Sequence, residues 1–374
     1  MMKVFLTDAD YKHTLGAIRR LAARDVAVVA GATSWRAQGL FSRYCSERVI
    51  TPDLSNADVF VEYLVDYLRK NQVDALLPIG YAASRTVSKR RSDFELVTKV
   101  PVAAYEAMEI ASEKDRTYQF AEKHGVRVPR RYLTVNEVDR FPVVVKPTGE
   151  SHRLRYVNDA DSLVSIDRSG AVIQEYVPGD GYGFYALYRH GKIRAHFMHR
   201  RVREYPVTGG ASTAAESIYD PELRDIGTRL LDALQWHGVA MVEFKKDARD
   251  GRYTLMEINP KFWGSLDLAA ASGVDFVWLA ARMAVDGDVS PVNDYRVGVR
   301  YHWLFPDEIL HLASRPSSIC TVLRDTRSAD VGGNIDWRDP LPNVFQVGMT
   351  GVKLVSRAFT GALRRPHGEP RIPS

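Results

Sequence analysis

The sequence predicts a mixed architecture: a parallel, doubly wound α/β unit at the N-terminus, then an α+β region built largely from antiparallel hairpins. Three observations carry this. Strand-like and helix-like runs alternate over the first hundred residues, as repeated β-α units require. Later strand runs come in pairs around His190-Gly191 and Asp250-Gly251, which is a hairpin pattern. At 374 residues the chain is also long enough for two or three packed units.

Taken in order, KVFLTDA (3–9) is an apolar run ending in a polar loop, and HTLGAIRRLAAR (13–24) follows with helical spacing. VAVVAGA (26–32) reads as a second buried strand, VFVEYLVDYLRKN (59–71) as an amphipathic helix and DALLPIG (74–80) as a third strand. Ligands of such sheets sit beyond the carboxyl ends of the strands, which points to TDADYKHT (7–14) and Gly80-Tyr81. There is no GxGxxG, so a nicotinamide cofactor is not indicated. Over 112–135, Ser112 and Asp115 have capping-box spacing, and the helix KDRTYQFAEKH stops at Gly125. FPVVVKPTG (141–149) and AVIQEYVPGD (171–180) read as strands, FYALYRHGKIRAHFMHRRV (184–202) as a hairpin, and PELRDIGTRLLDALQWHG (221–238) as a long helix. LAAASGVDFVWLAARMAV (268–285) is interrupted by Asp275 and Arg282 and reads as one buried helix rather than a membrane span. NVFQVGMTGVKLVSRAFTGALRR (343–365) has helical spacing with basic residues at its end. A packed C-terminal helix and a peripheral membrane helix are both open there, with Gly348, Gly351 and Gly361 weighing against the second.

Composition excludes several classes. Apolar residues at 45% and charged residues at 26% describe a soluble globular protein without a membrane span. No signal-peptide pattern precedes KVFL, which places the protein in the cytoplasm. Cys45 and Cys320 form neither a disulfide framework nor a metal spacing. A net charge of +5 suits phosphate- and carboxylate-bearing substrates, and no nucleic-acid motif accompanies it.

The sharpest chemistry lies in VAMVEFKKD (239–247) and RYTLMEINP (252–260). If their turn centres on Asp250, Glu243 stands opposite Glu257, and Asn259 shares the face because strand side chains alternate. Opposed carboxylates repel unless a cation lies between them. Two carboxylates and an amide oxygen suit Mg²⁺, which completes its shell with water and phosphate oxygens. A glycosidase-like acid pair would leave Lys146 unexplained, and a solvated hairpin conflicts with the apolar neighbours in MVEF and LMEIN. On 194–203, alternation puts Arg194, His196 and Arg200 on one face and His199, Arg201 and Arg203 on the other. No cysteine or acid accompanies these histidines as a zinc ligand.

The order of SEKDRTYQFAEKHGVRVP, FPVVVKPTG, VIQEYVPGDGYG, REYPVTGGAS and the acidic hairpin with LMEINPKFWGSL resembles the ATP-grasp superfamily, within it the carboxylate–amine ligases. The resemblance covers residues 1–290. It implies a Rossmann-like domain over 1–111, then an ATP-grasp fold over 112–290, with a nucleotide lobe (112–180) and a metal and catalytic lobe (181–290). Residues 291–374 form a C-terminal extension. It further implies ATP with Mg²⁺ (Mn²⁺ as an alternative ion), small-molecule carboxylate and amine substrates, and a homodimer. Lys114 and Lys146 would contact nucleotide phosphates, and Gly149 and Ser151 lie in the phosphate-covering loop, which here holds one glycine beside His152, Arg153 and Arg155. Glu175, Tyr176 and Val177 would meet adenine, and Asp180 the ribose. Glu243, Glu257 and Asn259 would hold the metal, while Arg201, Arg203 and Lys146 would act in catalysis. Lys261 stands where the subfamily often has Arg. The implied activity is joining a carboxylate to an amine through an acyl phosphate. A kinase-like phosphotransfer and a turnover-deficient nucleotide-binding regulator remain alternatives.

Overall fold

The computed structural model describes residues 1–147, 154–166, 171–359 and 370. The first sheet contains β1 (Lys3–Leu6), β2 (Ala27–Ala32), β3 (Glu47–Ile50) and β4 (Ala75–Leu77), all parallel in the order β3-β2-β1-β4. Its β1 and β4 residues Val4, Phe5, Leu6, Leu76 and Leu77 are fully buried, as a sheet covered on both faces demands. The sequence reading missed β3, whose ERVI is too short and too charged to stand out.

A second, four-stranded sheet holds β5 (Arg131–Tyr132), β6 (Val143–Pro147), β7 (Arg155–Val157) and β8 (Ala171–Glu175) in the order β5-β8-β6-β7. The third and largest is built from β9 (Gly181–Arg189), β10 (Lys192–Tyr205), β11 (Ala211–Ser217), β12 (Gly238–Lys246) and β13 (Tyr253–Asn259). Its far edge is completed by β14 (Arg300–His302) and β15 (Val331–Gly333), giving the order β13-β12-β9-β10-β11-β14-β15. β9 and β10 turn at His190 and Gly191, with φ of 44° and 75°, the backbone that a two-residue hairpin turn needs. One apolar core runs from β1 and β2 through Leu266, Leu268 and Phe276 to Tyr185 and Phe197. It fastens the first sheet to the third.

Several expectations give way to local chemistry. Ser112 ends the helix Tyr105–Ser112 rather than capping the next one, and its hydroxyl bonds back to the Met108 carbonyl. The next helix is Lys114–Lys123, and Gly125 follows it with φ of 70°. The run at 221–238 stops being helical after Ala233, because Gln235 and Gly238 take positive φ and Trp236 turns into the core. The apolar run at 268–285 is two helices, Leu266–Ser272 and Phe276–Asp286, bent by 86°. Gly273 ends the first at φ 114°, and the Asp275 side chain caps the second through the Trp278 amide. No single helix among the described residues is long and apolar enough to cross a membrane.

Candidate active site

A cavity of about 590 Å³ lies where the second and third sheets face each other, with Lys12 of the N-terminal unit in its lining. Its floor is the hairpin β12–β13, and Glu243 pairs with Glu257 across it. The pairing depends on two offsets. Near the turn, Lys246 faces Tyr253, a register that would set Glu243 opposite Met256. A bulge at Met256 inserts one residue and brings Glu257 into place. Tyr118 holds the bulge by donating its hydroxyl to the Met256 carbonyl at 3.0 Å. Asn259 donates Nδ2 to Glu257 Oε1 at 2.7 Å, leaving its own Oδ1 as a third oxygen.

Burial pushes Glu243 above the ordinary carboxylate range, with Arg201 pulling it back and Glu257 pushing it further up. Arg201 Nη2 lies 2.6 Å from Glu243 Oε2. Among the described residues no three His, Cys, Asp or Glu side chains converge as a metal cage. Two carboxylates and one amide oxygen are the donor set expected for a hard cation that takes its other ligands from water and phosphate.

The opposite wall presents cations. Lys146, on β6, lies deep in the protein yet faces the cavity. Burial lowers its pKa from 10.5 to about 8, and the nearby positive charge of Lys114 adds to the fall. Lys114 lines the same cavity from the first turn of its helix. Lys261 is lowered by burial, against the attraction of Glu257 and Asp8.

The segment after β8 completes the cleft. Glu175, Tyr176 and Val177 all line it. The Glu175 carboxylate is engaged by Arg249 at 2.6 Å and by the Arg130 amide at 3.3 Å, so what it offers the cavity is backbone. Lys245 donates Nζ to the Val177 carbonyl at 3.0 Å and lies over the Tyr176 ring at 5.2 Å. Asp180 is exposed and is not among the cavity-lining residues; its carbonyl accepts the Lys246 amide at 3.1 Å. Gly149 and Ser151, with His152 and Arg153, lie outside the described residues. Arg155 is exposed on β7.

Arg201 and Arg203 part company, which corrects the alternation argument. A bulge at Val202 breaks the β10–β11 register, so Arg201 pairs with Ala215 and Arg203 with Ala214. Arg201 turns into the cavity. Arg203 turns away, and its guanidinium is buried between Glu308 at 2.7 Å and Asp325 at 2.6 Å. It therefore does not join the site. The same bulge brings Glu204 to Arg201 at 3.6 Å. On the other residues of β10, Arg194 pairs with Asp288 and Arg200 with Glu216, and His199 is buried against Tyr185 and Ser265. Burial and Arg201 lower His199 to about 3, so its ring stays neutral.

Sequence reasoning also missed Lys245 and Glu204, whereas Lys12 lies within TDADYKHT (7–14), to which the strand ends pointed. Lys245 was recoverable, since it is two residues from Glu243 on one strand and shares its face. Glu204 was not, because its orientation follows from the bulge. Lys12 reaches the cavity wall from the helix Lys12–Ala22 and is ion-paired with Asp307, a contact across 295 residues.

Sheet order, hairpin pairing and the cleft between two lobes define an ATP-grasp fold. The family described as "ATP-grasp in the biosynthetic pathway with Ter operon" matches residues 168–305. D-alanine–D-alanine ligase of Fusobacterium nucleatum subsp. nucleatum is 33% identical over 78 residues, 20% of this chain and 27% of that protein. The carbamoyl phosphate synthase large chain of Thermotoga neapolitana is 25% identical over 292 residues, 66% of this chain and 26% of that protein. The chain thus spans about a quarter of the length of the curated relatives it matches. The crystal structure of an L-amino acid ligase from Bacillus licheniformis superposes with a TM-score of 0.63 at 16% identity, covering 78% of each chain.

Proposed function

We propose that the protein is an ATP- and Mg²⁺-dependent ligase that joins a carboxylate to an amine and releases ADP and phosphate. The observation that carries this reading is the opposition of Glu243 and Glu257 in one cavity with Lys146, Lys114 and Arg201. A cleft in which Lys146 and Lys114 line the cavity with the paired carboxylates, and Arg201 stands beside Glu243, fits a metal-bound triphosphate. The ligase relatives support the reaction class.

In this reading, the base packs against Tyr176 and meets the backbone of Glu175 and Val177. Lys114 and Lys146 hold phosphate oxygens, and Asp180 meets the ribose from the rim. Glu243, Glu257 and Asn259 would hold Mg²⁺, which when bound supplies Lewis-acid neutralisation of the phosphate charge. A substrate carboxylate oxygen bonds to the γ-phosphorus as the bond to ADP breaks. Lys146 and Arg201 offset the negative charge that spreads over the transferring group. An amine nitrogen then bonds to the acyl carbon, phosphate leaves, and the amine loses a proton. No covalent protein nucleophile is needed.

The test is ADP release across a panel of carboxylates, each with and without amines, in the wild type and in Glu257→Gln. The variant should retain its melting curve and lose Mg²⁺-dependent ADP release by at least about a hundredfold. Normal turnover in the variant would remove the metal assignment. Release of ADP with an acid alone, yielding a stable phosphorylated product, would favour the kinase-like alternative.

A further inference from the structure

A second cavity, of about 310 Å³, contains no residue of the acidic hairpin and lies between three parts of the chain. The helix Lys12–Ala22 lines it with Leu15, Gly16 and Arg20. The helix Leu266–Ser272 supplies Asp267, and the segment after β15 supplies Asn334, Ile335 and Asp336. The C-terminal helix Pro340–Phe359 contributes Gln346. That helix is fixed by its polar face. Gln346 Nε2 donates to Gln38 Oε1 at 2.7 Å, Asn343 Nδ2 donates to the Asp336 carbonyl at 2.8 Å, and Arg19 donates to Asn343 Oδ1 at 3.3 Å.

The charges in the lining are unevenly satisfied. Lys12 is ion-paired with Asp307, and Arg19 lies 3.0 Å from Asp339 and 4.0 Å from Asp336. Arg20 and Asp267 differ: among the described residues neither has an ion-pair partner within 4.0 Å. Asp267 is only 8% exposed, and its Oδ2 accepts from Trp303 Nε1 at 3.2 Å. Its Oδ1 stands against Gly16, where an added Cβ would be 2.3 Å away, so the bare glycine admits the carboxylate to the helix. Burial pushes Asp267 above the usual carboxylate range and Arg20 pulls it back. The two charges feel each other across the cavity without pairing. A buried carboxylate with no cation and a guanidinium with no anion are both costly to keep. A simple anion would leave Asp267 unanswered, and a simple cation would leave Arg20 so. A zwitterion answers both, its ammonium donating to Asp267 and its carboxylate accepting from the Arg20 fork. The volume matches the smaller ligand pockets, ~300 Å³, and Leu15 and Ile335 offer apolar contact to a side chain. We propose that this cavity is a second small-molecule site, which takes a free α-amino acid.

Binding is measured on the full chain without nucleotide, which keeps it separate from the reaction at the active cleft. Each of the twenty protein amino acids is titrated by calorimetry. At least one should bind with a Kd below about 1 mM. Its N-acetyl and amide derivatives each lack one of the two charges and should bind at least about tenfold more weakly. Arg20→Gln and Asp267→Asn should each weaken binding by a similar factor. Asp267 is buried, so its variant is checked by thermal melt; Arg20 is half-buried near a helix end and tests the site even if Asp267→Asn fails to fold. Lys12 lines both cavities, so the two sites are neighbours. Lys261→Met alters the active cleft and not this cavity, and it should retain the affinity. Absence of binding by every amino acid, equal affinity for the N-acetyl and amide derivatives, or undiminished affinity in Arg20→Gln would overturn the proposal. So would loss of binding in Lys261→Met with retention in Arg20→Gln, since the amino acid would then lie in the active cleft.

Discussion

Lys146 offers the most quantitative test of the nucleotide site. Burial and Lys114 depress its ammonium from 10.5 to about 8, so it is about nine-tenths charged at pH 7 and about one-tenth charged at pH 9. A bound phosphate favours the charged form and draws the pKa back up. Affinity for nucleotide should therefore fall as pH rises, by about tenfold between pH 7 and pH 9, or about 1.4 kcal/mol. Phosphate oxygens themselves titrate near pH 6 and contribute little in that window.

Calorimetric titration with a non-hydrolysable ATP analogue and Mg²⁺, in two buffers of different ionisation enthalpy, should show proton uptake on binding near pH 8 to 9. Lys146→Arg keeps its charge throughout the range and should flatten the profile. Lys146→Met should bind weakly at pH 7 and show no comparable slope. Burial also lowers Lys245 and Lys261, and the Met variant separates Lys146 from them. A wild-type affinity that is constant from pH 7 to pH 9 would refute the reasoning, as would an undiminished slope in Lys146→Met.

Two further outcomes concern the frame around the site. Arg203→Met should leave Glu308 and Asp325 buried without their cation and cost about 3–5 kcal/mol, seen as a large drop in melting temperature. The triple change Arg203→Met, Glu308→Gln, Asp325→Asn should recover part of that loss, and an unchanged melt in the single variant would contradict the buried pairing. Gly179→Ala should be severe, because φ is 117° and the added Cβ would stand 2.0 Å from the Lys246 carbonyl oxygen. Gly251→Ala has φ of 73° but nothing within 4 Å, so it should cost only about 1–2 kcal/mol. Equal melting shifts would show that the close approach at Gly179 carries no weight.

The acidic hairpin was legible because strand side chains alternate and both acids sit among apolar neighbours. Counting from a turn centred on Asp250 gave the observed partners, although the backbone reaches them through a one-residue offset and the Met256 bulge. Residue type alone left Lys146 as a surface lysine at the mouth of a strand, and its phosphate role came from the order of motifs that carries the resemblance. Arg203 was misplaced because a bulge leaves no mark in residue type. The 268–285 run hid its break because Gly273 and Asp275 are also tolerated inside apolar helices. Helical spacing at 343–365 was visible, but periodicity says only that two faces differ. Which face packs inward depended on Gln38, Arg19 and Asp336, residues distant in the chain.

The backbone irregularities and the charge pattern have a common logic. Under strict alternation β10 would aim Arg203 into the cavity with Arg201 and turn Glu204 away. That would set two arginines beside Lys245 with no acid between them. The Val202 bulge exchanges Arg203 for Glu204, so Arg201 instead contacts Glu204 on one side and Glu243 on the other. The rejected arginine ties β10 to Glu308 and Asp325, which fixes the bulge from behind. On β13 the Met256 bulge does the complementary task and sets a second carboxylate against Glu243. Each bulge sacrifices ladder hydrogen bonds, and each is braced by groups outside the cavity, Tyr118 in one case and the buried acids in the other. The result is a cleft in which Arg201 answers one carboxylate of a pair, while Glu257 accepts from the Asn259 amide and is attracted by Lys146 and Lys261. In the proposed reading Glu243, Glu257 and Asn259 would hold a divalent cation that would neutralise the paired carboxylates, and Arg201 would then be able to meet a phosphate.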